Sequence, residues 1–212
     1  MFSSPSKERK RAGFNDMLTV QSHSPPMPAK LLQAFNQTAR DRHWQFQCSP
    51  AAEFRQNELD AALAVWRERA RGREMPMRAD LTARAMKPFL THMSLLERVK
   101  TDLGERYRIR LHGSALARYS GDATGKFLEQ MVEPERIDAY RTLYDTLIAW
   151  RAPLRVVSEY QAREIDYLTG ETLLAPLAVP ESEIPLILSI TYAKPRSEAD
   201  PTPVHALLQR KE

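Results

Sequence analysis

The chain has 212 residues, enough for one ordinary domain with extra material but not for a separate catalytic domain beside it. Its net charge is +4, from 31 Lys and Arg against 27 Asp and Glu; residues 1–55 hold 8 basic and 4 acidic side chains, leaving 23 of each, so a domain-wide nucleic-acid surface is not indicated. The one cysteine, Cys48, excludes an intrachain disulfide, and no apolar run approaches the roughly 20 residues of a membrane span or forms a signal-peptide core, so a cytoplasmic, soluble protein is expected.

Residues 1–55 read as a poorly ordered basic arm. SPSKERKR and SHSPPMPAK scatter proline and charge without an apolar period. Inside the arm, Lys30 to Arg40 offers Leu31, Leu32 and Phe35 to one side of a transient helix, and Trp44 with Phe46 makes a clamp onto the domain. The KERKR cluster suits an anionic surface or plain solvation. Asn57 to Arg71 is an amphipathic helix: Leu59, Ala62, Leu63, Trp66 and Ala70 fall on one stripe, with Asn57 as N-cap and Gly72 as stop. That stripe must dock, either on its own domain or on a second copy of the chain, with Trp66 as anchor.

Pro76 breaks the chain, and Asp80 is placed to cap a short helix ending near Met86. Phe89 to Val99 then alternates as a strand, and the reversal at Asp102 to Glu105 leads into a second strand. There Tyr107, Ile109 and Leu111 are expected to face the helices, while Arg106, Arg108, Arg110 and His112 form a basic face. Gly113 ends the strand, Ala115 to Tyr119 allows one helical turn, and Gly121, Asp122, Thr124 and Gly125 form a turn-rich loop crossing the sheet. Pro134 opens a long helix in which Ile137, Tyr140, Leu143, Tyr144, Leu147 and Ile148 recur at helical spacing as far as Trp150. Three strands follow, over Leu154 to Tyr167, Thr172 to Val179 and Ile184 to Lys194, with a turn read at Leu168 to Glu171; Pro176 marks a bulge or an edge position.

This order describes an α+β domain with helices on one face of an antiparallel sheet. The pieces WRERARGREMPMRADL, YRIRLHGS, GDATGK and LLAPLAV followed by LILSITYA stand in the order seen in PAS domains, and residues Leu59 to Ala193 resemble the small bacterial single-domain PAS proteins. Ser114 replaces the usual threonine after the strand-end glycine. The resemblance implies a five-stranded antiparallel sheet with an extra N-terminal helix over residues 56–195; the tail over 196–212 has no period and is expected to be loose. It implies Arg108, Gly113, Asp122, Thr124 and Gly125 as the family-motif loop and its flanks. It also implies sensing of ligands or mediation of protein contacts in bacterial signalling.

The chemistry open to these residues is narrow. GDATGK has three residues between its glycines and Phe127 after its lysine, which is not a phosphate loop. His92 and His112 stand on one hairpin without a third ligand at metal spacing, so no metal site is assigned. Some PAS domains hold haem through a histidine of the long helix or flavin through a cysteine after the crossing loop; Ile137 to Trp150 has no histidine and Lys126 to Met131 no cysteine. Noncovalent binding of another cofactor stays open, with the cofactor unknown.

Tyr107, Tyr119, Tyr140 and Tyr144 are the candidates to line a pocket for a small, mostly apolar ligand, with a filled aromatic core as the alternative. The leading function is therefore a non-catalytic sensory or regulatory module with a protein partner or a homodimer formed through Leu59, Leu63 and Trp66. Two rivals stand beside it: a cone-shaped α+β enzyme using His112 and Asp122 as an acid/base pair, and an adaptor touching nucleic acid through its basic arm.

Overall fold

The computed structural model describes residues 29–52, 54–162, 165–180 and 182–195. The KERKR cluster and the tail over 196–212 lie outside the described residues. The elements run α1 (Ala29–Asp41), β1 (Phe46–Pro50), α2 (Asn57–Ala70), α3 (Ala83–Met86), β2 (Met93–Thr101), β3 (Gly104–His112), α4 (Ser114–Ser120), α5 (Pro134–Trp150), β4 (Leu154–Ala162), β5 (Ile165–Val179) and β6 (Ser182–Pro195). Single 3-10 turns at Arg78–Asp80, Leu90–His92 and Leu128–Gln130 link them. All strand pairs are antiparallel, and the sheet order is β1-β4-β5-β6-β2-β3.

Five of these strands are the expected hairpin and meander, joined through β2 and β6. The sixth, β1, comes from the segment read as a poorly ordered arm. That reading is corrected from Ala29 onward, because α1 and β1 are integral to the core. Leu32, Phe35 and Ala39 of α1 are buried, and the rings of Phe35 and Phe46 stack with centroids 6.1 Å apart. A five-residue strand and a helix of three turns are too short to show a sustained period, and their apolar partners lie far along the chain on α5 and β4. The side chain of Asn36 accepts from the Cys48 N–H at 2.9 Å and donates to the Cys48 carbonyl at 2.7 Å. It therefore occupies the outer edge of β1 as a neighbouring strand would.

The meander differs in one place. Residues 168–171 lie inside β5, paired with both β4 and β6, and the β4–β5 ladder continues past them to the pair Ala162 and Ile165. Gly170, which read as a turn former, is a strand residue. Pro176 stands where β5 has run past the end of β4, so its missing N–H takes no bond from the β4–β5 ladder.

Helices cover both faces of the sheet, where one face was expected. On the inner face, α1 and α5 pack against Leu96, Ile109, Leu154, Val156, Leu174 and Ile187. On the outer face, α2 packs against the alternate residues Leu95, Leu173, Leu177, Leu186, Leu188 and Ile190. The α2 stripe is thus buried in its own domain: Leu59, Leu63 and Trp66 are 0%, 2% and 5% exposed, and the Trp66 indole N–H donates to the Pro176 carbonyl at 2.9 Å. This corrects the expected dimer contact through that stripe, since a covered stripe offers nothing to a second copy.

Helix boundaries follow local chemistry with two adjustments. Gln56, not Asn57, holds the N-cap position of α2 and makes no side-chain cap bond. Instead the Glu171 carboxylate accepts from the N–H groups of Arg55 and Gln56, at 2.9 and 3.0 Å, while its other oxygen takes the Arg155 guanidinium at 2.5 Å. Asp80 closes the 3-10 turn by accepting from the Met77 N–H, and Thr82 caps α3. No described helix is long and apolar enough to cross a membrane.

Candidate functional site

The site depends on an irregularity in the β2–β3 hairpin. Leu95 pairs with Leu111 but Leu96 pairs with Ile109, so Arg110 is an extra residue and β3 carries a bulge. Upstream of it the alternation holds: Tyr107 and Ile109 are buried on the inner face, as expected. Downstream the phase is reversed. Leu111 packs against the outer-face core, contrary to expectation, and His112 leaves the basic face to line the inner cavity.

That cavity, of about 430 Å³, lies between the inner face of the sheet and α5, with α4 and the crossing loop as its roof. Its walls are aromatic and aliphatic: Phe46, Leu116, Tyr119, Tyr140, Leu143 and Tyr144. Phe46 and Tyr140 pack with centroids 5.3 Å apart, and Tyr140 and Tyr144 at 6.1 Å. Tyr119 is 48% exposed and stands at the opening. Tyr107, the fourth expected wall residue, is not in the lining. Its ring packs behind Tyr144 at 5.0 Å, and its hydroxyl donates to Asp145 at 2.5 Å. Burial first, then that carboxylate, raises its pKa.

The floor was not foreseen, and it is polar. Ser94, Ser158, Thr172, Ser189 and Thr191 line it from β2, β4, β5 and β6. Thr172 and Thr191, paired across β5 and β6, share a hydrogen bond of 2.8 Å. His112 is held between two serines, Ser94 Oγ at 2.9 Å from Nδ1 and Ser120 Oγ at 2.9 Å from Nε2. Burial lowers its pKa, with Asp122 pulling weakly the other way, so the neutral ring prevails at pH 7. Ser158 is 3% exposed, and its hydroxyl has no hydrogen-bond partner among the described residues. Beside it the floor has almost no side chains: Ser158, Gly170 and Ala193 are paired in register across three strands. The available signal was hydroxyl residues at alternate positions of otherwise apolar strands; reading Gly170 as a turn broke the phase that would have aligned them.

The family-motif residues organise the roof. Gly125, at φ 83°, donates its N–H to the Ile109 carbonyl at 2.7 Å, and the Ile109 N–H donates to the Lys126 carbonyl at 2.9 Å, stitching the loop to the free edge of β3. Asp122 accepts from the Thr124 N–H at 3.0 Å, which holds its pKa below the usual carboxylate value. At Gly113 a Cβ would stand 2.3 Å from the Thr91 carbonyl oxygen, so only glycine allows this approach. Arg108 ion-pairs with Glu97, as does Arg110, while Arg106 and Arg141 share Glu129. Each arginine of β3 is thereby ion-paired, with two carboxylates shared among four guanidinium groups.

A bulged hairpin, a crossing loop stitched to it, a long helix and a meander around an inner cavity are the parts of a PAS fold. The PAS domain family profile matches residues 54–191, and the chain belongs to that family. PAS domains are in general sensory and regulatory modules. No curated protein matches the chain. A solved structure described as an RNA-binding light-oxygen-voltage receptor is similar at 9% identity with a TM-score of 0.36, over 70% of this chain and 38% of that one.

Proposed function

We propose that this PAS domain is a non-catalytic sensory or regulatory module that binds a small molecule in the inner cavity and passes its state to a protein partner. The observation that carries this reading is the cavity of about 430 Å³, walled by Phe46, Tyr140 and Tyr144 and floored by hydroxyls. It has the size and make-up of small-ligand sites, which are mostly apolar with a few placed polar groups. Binding is favoured over acid/base catalysis because both ring nitrogens of His112 are taken by serines and Asp122 is turned to its own loop. Contact through a sheet edge is disfavoured, since Asn36 caps β1 and the crossing loop caps β3.

Gly170→Val tests the reading, because a β-branched residue suits a strand and would add a side chain between the lining residues Ser158 and Ala193. Native mass spectrometry of the freshly purified full chain should show a retained small molecule, or a fragment library should raise the melting temperature, and the variant should lose either signal while still melting cooperatively. A wild-type chain that retains nothing and responds to no fragment sinks the proposal.

A further inference from the structure

The chemical character of the cavity's occupant can be narrowed, on the reading that the cavity is a ligand site. We infer that it takes a neutral molecule with a flat apolar body and one hydrogen-bonding edge, the edge set against Ser158 and the body against Phe46, Tyr140 and Tyr144. Ser158 is the decisive residue. A hydroxyl that is 3% exposed and unpartnered carries an uncompensated loss of solvation, and such groups are rare unless something pairs with them. Ser158 and Ala193 line the cavity, and Gly170, in register between them, has no side chain to pair with the hydroxyl.

The remaining floor offers dipoles and no formal charge. Thr172 and Thr191 bond each other, and Ser94 bonds His112, whose burial favours the neutral ring. A charged ligand group placed there would be desolvated without a counter-ion. The charged lining residues, Glu133 at the N-cap of α5 and Arg136 in its first turn, are of opposite sign, so the lining has no net charge to select an ion. Arg136 is turned to Tyr140, its guanidinium 5.7 Å from the ring centroid. Aromatic walls favour a flat body, because ring faces pack best on ring faces or edges.

Three compounds of one shape separate the terms: 2-naphthamide, neutral with a hydrogen-bonding edge; 2-naphthoate, charged; and naphthalene, with no polar edge. Affinities for the full chain would be measured by ligand-observed NMR, for wild type and Ser158→Ala. The amide should bind more tightly than both others. Ser158→Ala should weaken the amide on the order of five-fold, the worth of one net hydrogen bond, and leave naphthalene unchanged. Ligand-free Ser158→Ala should melt no lower than wild type, since it loses an unpaired hydroxyl and not a contact. Naphthoate binding as tightly as the amide, or an amide affinity indifferent to Ser158→Ala, overturns the inference while leaving the cavity's role as a ligand site intact. If none of the three binds, this inference falls; if in addition no molecule is retained and no fragment binds, the proposed function falls with it.

Discussion

The two faces of the sheet are built from the same strands and do opposite things. On β5, Glu171, Leu173, Ala175 and Leu177 point outward and are closed over by α2, with Leu173, Ala175 and Leu177 each 0% exposed. Their neighbours Thr172 and Leu174 point inward and line the cavity, with Gly170 in the same phase of the strand. The outer face is close-packed and fastened by a buried ion pair, so it behaves as an interior that α2 completes. The inner face is left partly unfilled and carries hydroxyls where the outer face carries leucines. One strand can hold a structural face and a binding face because its side chains alternate, and the difference between adjacent residues is measurable.

The largest expected effect is on the outer face at Glu171. Its carboxylate joins Arg155 to the backbone that enters α2, with Arg155 and Glu171 8% and 5% exposed. Glu171→Ala strands a buried guanidinium and frees two N–H groups, a loss of about 3–5 kcal/mol by the usual cost of breaking a buried pair. Urea unfolding measures it, and amide exchange at Arg55 and Gln56 should quicken. A loss below about 1 kcal/mol, the usual ceiling for an exposed pair, would mean that the pair behaves as an exposed one and that α2 is held by its stripe alone.

Next in size is the comparison of Leu173 with Leu174, adjacent residues on opposite faces. Truncation to alanine in a packed core costs about 2–5 kcal/mol and rises with the void left behind. Leu173, enclosed by the α2 core, should fall in the upper half of that range. Leu174 lines an existing cavity, so part of its surface faces space and not packed atoms, and its truncation should fall near or below the lower end. Equal losses would remove the distinction between a filled and an unfilled face.

The α+β class, the hairpin, the long helix and the meander are legible in the sequence because each rests on a local period. What is not legible rests on non-local pairing. Leu111 and His112 exchange faces because Arg110 bulges, and nothing in RYRIRLHG distinguishes a bulged strand from a regular one. Gly170 has the composition of a turn, yet two partner strands hold it extended. β1 is five residues long, and its ladder partners, Leu154 to Ser158 of β4, lie more than a hundred positions away. Tyr140 and Tyr144 were readable as a shared helical face directed at the sheet; the polar floor opposite them was not, since it requires the register of four strands at once.

The smallest effect expected is a pH dependence at His112, which tests whether the bulge truly sets this ring inside. Burial holds its pKa below the ordinary 6.5, outweighing the opposing pull of Asp122, and Ser94 and Ser120 flank the two nitrogens. In the unfolded chain the same ring takes up a proton as pH falls through about 6.5, so over that interval the unfolded state binds more protons and stability falls with pH. Above that value the contribution is fully present; it is lost as pH drops toward the folded-state pKa. His92, stacked on Tyr192 at 4.1 Å on the outer face, is lowered by burial in the same sense and contributes in parallel. The lowered carboxylates Asp80, Asp122 and Glu129 start from values of 3.8 to 4.5 and act at lower pH, outside this window. Melting temperatures between pH 7.5 and 5.5 should therefore decline, and His112→Gln, which keeps a donor and an acceptor for the two serines, should make the decline shallower. His92→Gln supplies the outer-face comparison. A slope unchanged by His112→Gln would place that ring in solvent, on the basic face that simple alternation assigns to it.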